Sequence, residues 1–329
     1  MTVQIQNVSP TASLYSELPY PADGVVRTTN ARILRAGMQK HFPELLRRQR
    51  LRIVDVGCGT GENTVGLAKL FRNAEIVGVD INPASLNLAT KLAERTDSPV
   101  RFIQCDITGN MVEAVTSTAR GQFDVVFSMG VLHHLAEPRA GFLVVRELVK
   151  SDGMLFCFLY SRPGRREDIA SKELLTSILP PNSSLKARGE AIGLLGLANR
   201  HRLWQGLKTL RMRLKFGPPV IPSELLRVAL NRNRLAHESD SYSNPCEHLY
   251  SCGEIRSLLA ETGWDFLAIA DGAGIPTSPE QHTRRRAERE FLHRLSEDAL
   301  GDFFAFYYQA QGISFFGRPS ANWRNPGSQ

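Results

Sequence analysis

The chain has 329 residues, of which 42% are hydrophobic and 22% charged. That length fits one large domain or two modest ones and needs no staples, and the composition excludes a disordered, collagenous or coiled-coil chain. The formal charge of +7 favours an anionic partner but carries no information about fold.

Residues 1–14 are polar. Helical spacing of Ile33, Leu34, Met38 and Phe42 predicts a helix that begins near Asn30 and ends around Pro43 to Arg50. The period then changes. Leu51 to Val56 is a short apolar run ending in glycines, which reads as a buried strand. A helix over about Asn63–Arg72, a strand at Glu75–Val79, a helix at Pro83–Glu94 and a strand at Val100–Gln104 follow. Phe123–Ser128 reads as a strand, Arg139–Val149 as a helix and Met154–Leu159 as a fifth strand. Such alternation specifies a parallel sheet covered by helices on both faces. The pattern breaks after Tyr160: helical pieces at Asp168–Leu179, Glu190–Leu210 and Pro222–Val228 are separated by prolines. It returns with a helix at Glu254–Thr262, a strand at Trp264–Ala270, helices near Arg284–Leu295 and Glu297–Tyr308, and a strand at Ile313–Phe316. The predicted organisation is an N-terminal arm (1–49), an α/β core (50–161), a helical insertion (162–252), a return to the core (253–319) and a tail (320–329).

Cys58, Cys105, Cys157, Cys246 and Cys252 are odd in number and scattered, with no C-x-x-C. A disulfide framework or zinc cluster is disfavoured, and a reducing cytosol fits. Residues 1–16 lack the basic and apolar regions of a signal peptide. No apolar run approaches the roughly 18–20 residues of a membrane span. The expectation is a soluble, cytoplasmic protein without a membrane partner.

The informative motif is Asp55-Val56-Gly57-Cys58-Gly59-Thr60-Gly61, at the C-terminal end of the first strand and just before a helix. In open parallel sheets ligands bind at those strand ends, and glycine there permits a tight turn and close approach to the backbone. The spacing is G-x-G-x-G. A dinucleotide fingerprint would place glycine at Glu62, and no Gly-Lys-Ser/Thr follows as in a P-loop. A lone glycine loop is weak evidence, because a plain strand-to-helix turn looks the same. Two further acids strengthen it. Asp80 ends the second strand, where a carboxylate can accept hydrogen bonds from a ribose diol. Asp106 follows the third strand, beside the same crevice.

These residues resemble the class I S-adenosylmethionine-dependent methyltransferases over roughly 50–160, and more weakly over 253–319. Phe123 to Leu135, with its His133-His134 pair, and Val149 to Gly153 also match that pattern. The resemblance implies a Rossmann-like α/β fold with a mostly parallel seven-stranded sheet and a helical insertion. It implies S-adenosylmethionine as cofactor, leaving as S-adenosylhomocysteine. Asp55, Gly57, Cys58, Gly59 and Gly61 would surround its methionine part, Asp80 and Ile81 its ribose, Asp106 and Ile107 its adenine, with Ser128 and Met129 alongside. Tyr15 to Pro21 and Asn244 to Tyr250 resemble a bacterial subset with a long insertion after strand five.

Methyl transfer from a sulfonium is an in-line displacement with a good leaving group. Alignment is then the main demand, and a general base is needed only for a nucleophile of high pKa. Candidates for a base are His133, His134, His248 and Tyr250; each also fits a structural role. Candidates for acceptor contact are Tyr20, Arg27, Tyr160, Asp240 and Tyr242, on the arm and insertion that could close over the site. Adjacent histidines cannot share one ion, so no metal site is expected. Residues 162–235 carry 15 Lys and Arg against five acids, net +10, whereas the rest carries 25 against 28, net −3. This is either a solvated basic face or a recruitment surface for an anionic or carrier-bound acceptor. With only Trp204 and Phe216 as large aromatics there, nucleic acid is the weaker option. The expectation is methyl transfer to an O or N atom of a small molecule; a homodimer is compatible with it. An RNA or protein methyltransferase, and a non-catalytic cofactor-binding regulatory module, are the alternatives.

Overall fold

A computed structural model of the chain describes residues 19–115, 123–180, 183–195, 244–273 and 275–323. Seven strands form one sheet in the order β3-β2-β1-β4-β5-β7-β6. They are β1 (Arg52–Val56), β2 (Glu75–Asp80), β3 (Val100–Gln104), β4 (Phe123–Met129), β5 (Val149–Tyr160), β6 (Trp264–Ile269) and β7 (Gly312–Pro319). The first five run parallel; β7 pairs antiparallel with both β5 and β6. The order reverses at β1, between β2 and β4, so the crevice for a ligand lies at the C-terminal ends of these strands.

Two apolar layers flank the sheet. On one face Ile33, Leu34 and Met38 of helix Thr29–His41 meet Leu67, Phe127 and Phe156. On the other, Phe142 and Val145 of helix Pro138–Leu148 and Ile255 and Leu259 of helix Cys252–Glu261 pack on Val126, Leu155 and Trp264. The helix starts follow local chemistry. Asn82 accepts the amides of Ala84 and Ser85 ahead of Pro83 at the first helical position. Ser251 and Glu254 form a reciprocal capping box.

Two of the differences from expectation lie in the first five strands and their connections. β5 begins at Val149 rather than Met154, because Val149 pairs with Phe123 across an irregular register. The side chain of Lys150 then reaches the buried carboxylate of Asp124 at 2.7 Å. A short helix, Met111–Val115, carries two buried apolar side chains one turn apart between β3 and β4. Helices Arg166–Ile178 and Leu185–Leu194 open the predicted insertion; its residues 196–243, including Asp240 and Tyr242, lie outside the described residues. No helix among the described residues is long and apolar enough to cross a membrane.

Candidate active site

The glycine loop crosses the C-terminal end of β1. Gly57, Gly59 and Gly61 have φ of +73°, +52° and +84°, the left-handed region that L side chains rarely adopt. Gly57 is also tightly packed, since a Cβ there would lie 2.3 Å from Val131. The amides of Gly57 and Cys58 both donate to the Val79 carbonyl, which fastens the loop to β2. Asp80 completes the fastening: one carboxylate oxygen accepts Gly59 N–H at 2.8 Å and the other accepts Asn82 N–H at 2.9 Å. Each oxygen keeps a lone pair for a hydroxyl donor. Ile81 follows directly, its carbonyl accepting from Gln104.

Asp106 sits at the rim beyond β3, and one of its oxygens accepts the amide and hydroxyl of Thr108. Ile107 is buried behind it. At the end of β4, Ser128 donates to the Val56 carbonyl, tying β4 to β1. Met129 is half-buried, and Gly130 at φ +81° faces open space where a Cβ would stand. The edge therefore combines an acid able to take a diol, a rim acid beside an apolar residue, and a side-chain-free cradle. This donor and acceptor set fits a nucleoside with a charged tail.

Asp55 stands apart from the other acids. It is buried beneath the loop and accepts the Thr64 hydroxyl at 2.6 Å. Burial is the main cause that pushes its carboxyl up to about 7, opposed by the Thr64 bond and reinforced by Asp80. Burial likewise raises the Cys58 thiol well above its ordinary value.

The segment 19–28 lies across the loop. Ala22 N–H donates to Thr60 Oγ1, Gly24 N–H to Glu62 Oε1 and Arg27 N–H to the Glu62 carbonyl. Tyr20 and Arg27 are thereby brought to the glycine loop. The Arg27 guanidinium is held by Asp23 at 2.7 Å. Sequence reasoning missed Thr60 and Glu62 as binding partners because the atoms they bind lie 38 residues upstream.

A second cluster gathers at the ends of β4 and β5. The rings of His133 and Tyr160 lie 3.9 Å apart and those of His133 and His134 4.2 Å apart. His134 Nδ1 meets the Cys246 carbonyl at 2.7 Å. A carbonyl only accepts, so this nitrogen carries the proton. His248 donates its amide to the His133 carbonyl, and Tyr250 donates its amide to the Tyr160 carbonyl. The chain thus brings together His133, His134, His248, Tyr250 and Tyr160. His133 is fully buried, and burial first, then His134 and Arg165, depress its basicity well below the ordinary range. Burial raises the Tyr250 phenol to about 12.

Arg165 was not anticipated. Its guanidinium is 1% exposed, lies 3.8 Å over the Tyr160 ring and pairs with Glu247 at 2.7 Å. Lys172 pairs with the same carboxylate at 3.0 Å. Beside this junction a cleft of about 500 Å³ runs between residues 165–177 and Glu247 and Leu249.

A seven-stranded sheet of this order, with a glycine loop and an acid ending β2, is the fold of class I S-adenosylmethionine-dependent methyltransferases. Residues 48–186 match the family model described as "Methyltransferase domain". An "Uncharacterized protein" of Synechococcus sp. is 29% identical over 224 residues, 68% of this chain and 49% of the relative. A "Ubiquinone biosynthesis O-methyltransferase" of Cereibacter sphaeroides is 33% identical over 112 residues, 34% of this chain and 42% of the relative. The chain spans about half or less of the length of these curated relatives. PKMT2 from Rickettsia typhi, solved in complex with AdoHcy, superposes with a TM-score of 0.52 at 15% identity, covering 85% of this chain and 50% of that one.

Proposed function

We propose that the chain is an enzyme that binds S-adenosylmethionine at the glycine loop and transfers its methyl group to an O or N nucleophile of a small molecule. The observation that carries the reading is Asp80, whose carboxylate is locked to the Gly59 amide at the end of β2 with acceptor capacity left toward the crevice. The cofactor supplies a methyl carbon already bonded to a good leaving group. Asp80 would hold the ribose hydroxyls, and Asp106 with Ile107 the adenine. The side-chain-free backbone at Gly57 to Gly61 and Gly130 would admit the tail. We assign Arg27, half-buried next to the loop and paired with Asp23, to the cofactor side as positive charge near the tail carboxylate, in place of the acceptor contact expected from the sequence. Asp55, turned to Thr64, supports the loop from beneath.

His133 is neutral and buried, so it supports the acceptor side by shape. His134 keeps Nδ1 engaged with the insertion's return, and Tyr250 retains its proton at neutral pH. These features favour proximity and orientation over a strong base; well-oriented reactants gain up to about 7–11 kcal/mol in favourable cases. The cleft of about 500 Å³ is of small-molecule size, within the usual ~300–1,000 Å³. At its wall Arg165 and Lys172 are already paired with Glu247, which favours a small acceptor over a polyanion.

Methyl-labelled cofactor incubated with metabolite, RNA and protein fractions tests this reading. Label is expected in the metabolite fraction. Label only in RNA or protein would overturn the acceptor class.

A further inference from the structure

The contacts between the segment 20–27 and the glycine loop converge on two side chains. Thr60 Oγ1 accepts the Ala22 amide at 2.9 Å and spends its own proton on Glu62 Oε2 at 2.6 Å. Glu62 Oε1 accepts the Gly24 amide at 3.2 Å, and the Glu62 carbonyl accepts the Arg27 amide at 2.9 Å. Glu62 is 1% exposed. A carboxylate is costly to bury unless hydrogen-bonded; here it sits in the first helical turn, where the helix dipole favours it. The segment bends to reach these two groups: Ala22 and Gly24 adopt φ of +48° and +65°. For a non-glycine residue such a φ costs of the order of 1 kcal/mol or more and persists only when neighbours enforce it.

The fit is close at both ends. A Cβ on Gly59 would stand 2.6 Å from the Tyr20 carbonyl oxygen, and one on Gly66 1.9 Å from that of Arg27. The segment therefore lies directly on the loop and on the helix behind it.

We propose that Thr60 and Glu62 are positioning residues for cofactor binding: together they anchor residues 20–27 as a strap across the glycine loop, and the strap sets how long the cofactor stays. The inference rests on the cofactor reading above. Neither side chain touches the cofactor in this account. They act through the strap, which carries Tyr20 and Arg27 to the loop. Glu62 occupies the position where a dinucleotide-binding loop has its third glycine, so here that position serves a chain segment instead of a pyrophosphate.

The test measures S-adenosylhomocysteine affinity by calorimetry, its dissociation rate by stopped flow, and amide exchange of residues 20–27 in the ligand-free protein. Thr60→Val keeps the shape but removes one donor and one acceptor; about 3–10-fold weaker binding with faster dissociation is expected, as for one or two lost hydrogen bonds. Thr60→Ser should restore the wild-type behaviour. Glu62→Ala should weaken binding by about tenfold or more, and both damaging variants should speed exchange at Gly24 while leaving β1 protected. If the wild type binds and both variants retain its affinity, dissociation rate and strap protection, the proposal is overturned and the cofactor reading stands. If the folded wild type does not bind S-adenosylhomocysteine, the cofactor reading falls and this proposal with it.

Discussion

Asp55 and Glu62 are buried and Asp80 half-buried around one loop, and removal from water is the largest cause raising each of their pKa values. For Asp55 the folded value is about 7 against an ordinary 3.8. The folded chain thus holds a proton that the unfolded chain releases, so the contribution of Asp55 to stability is full below about 3.8 and is lost as pH rises through about 7. This contribution to the thermal stability of the ligand-free protein should be lost between about pH 4 and about 7, and Asp55→Asn should flatten that loss. A variant profile as steep as the wild type's would contradict this account of Asp55. Gly57→Ala combines φ +73° with a Cβ 2.3 Å from Val131; a loss of at least about 1–2 kcal/mol is expected from the backbone alone, read by urea unfolding. The glycines and the acids ending β1 to β3 were legible in the sequence, because their meaning is local: a strand, a turn, a carboxylate. Thr60 and Glu62 were not, because their partners belong to a segment with no periodicity of its own.

At the level of elements, the strand–helix alternation predicted five of the seven strands within a residue at each end, and β7 runs three residues further at its C-terminal end than the reading placed it. It placed the start of β5 five residues late, because Lys150 to Gly153 look like a turn. What extends the strand is tertiary: Asp124, buried near the start of β4, gathers Arg48, Lys150 and the Arg52 amide at the opposite end of the strands from the site. The junction of the insertion was also invisible. Arg165 on the way out and Glu247 on the way back are 82 residues apart in sequence, and only the fold pairs them. Truncating one partner of a buried pair leaves the other uncompensated, at about 3–5 kcal/mol. Arg165→Ala should therefore destabilise by about 3 kcal/mol, somewhat relieved by Lys172, while Arg165→Ala with Glu247→Gln should recover part of it. Equal losses for the single and double variants in chemical denaturation would argue against the pair.

On the scale of the whole molecule, the +7 total divides into a mildly acidic remainder and a +10 stretch at 162–235. Part of that excess is internal. Arg165 pairs with Asp168 and Glu247 and Lys172 with Glu247, within the insertion, and Arg162 pairs with Glu254 of the return to the core, so these cations are engaged within the chain before any partner is met. Affinity for RNA should accordingly be weak and lack the steep salt dependence of multiple phosphate contacts; a steep slope in a titration would reverse that reading. The central claim is that the glycine loop, Asp80 and Asp106 form a cofactor site. Calorimetric titration of the folded protein with S-adenosylhomocysteine tests it most directly. The account predicts saturable binding that Asp80→Ala weakens by about 1–3 kcal/mol, the cost of lost hydrogen bonds to a charged group. Absence of binding by the wild type, or unchanged affinity in Asp80→Ala, would contradict it.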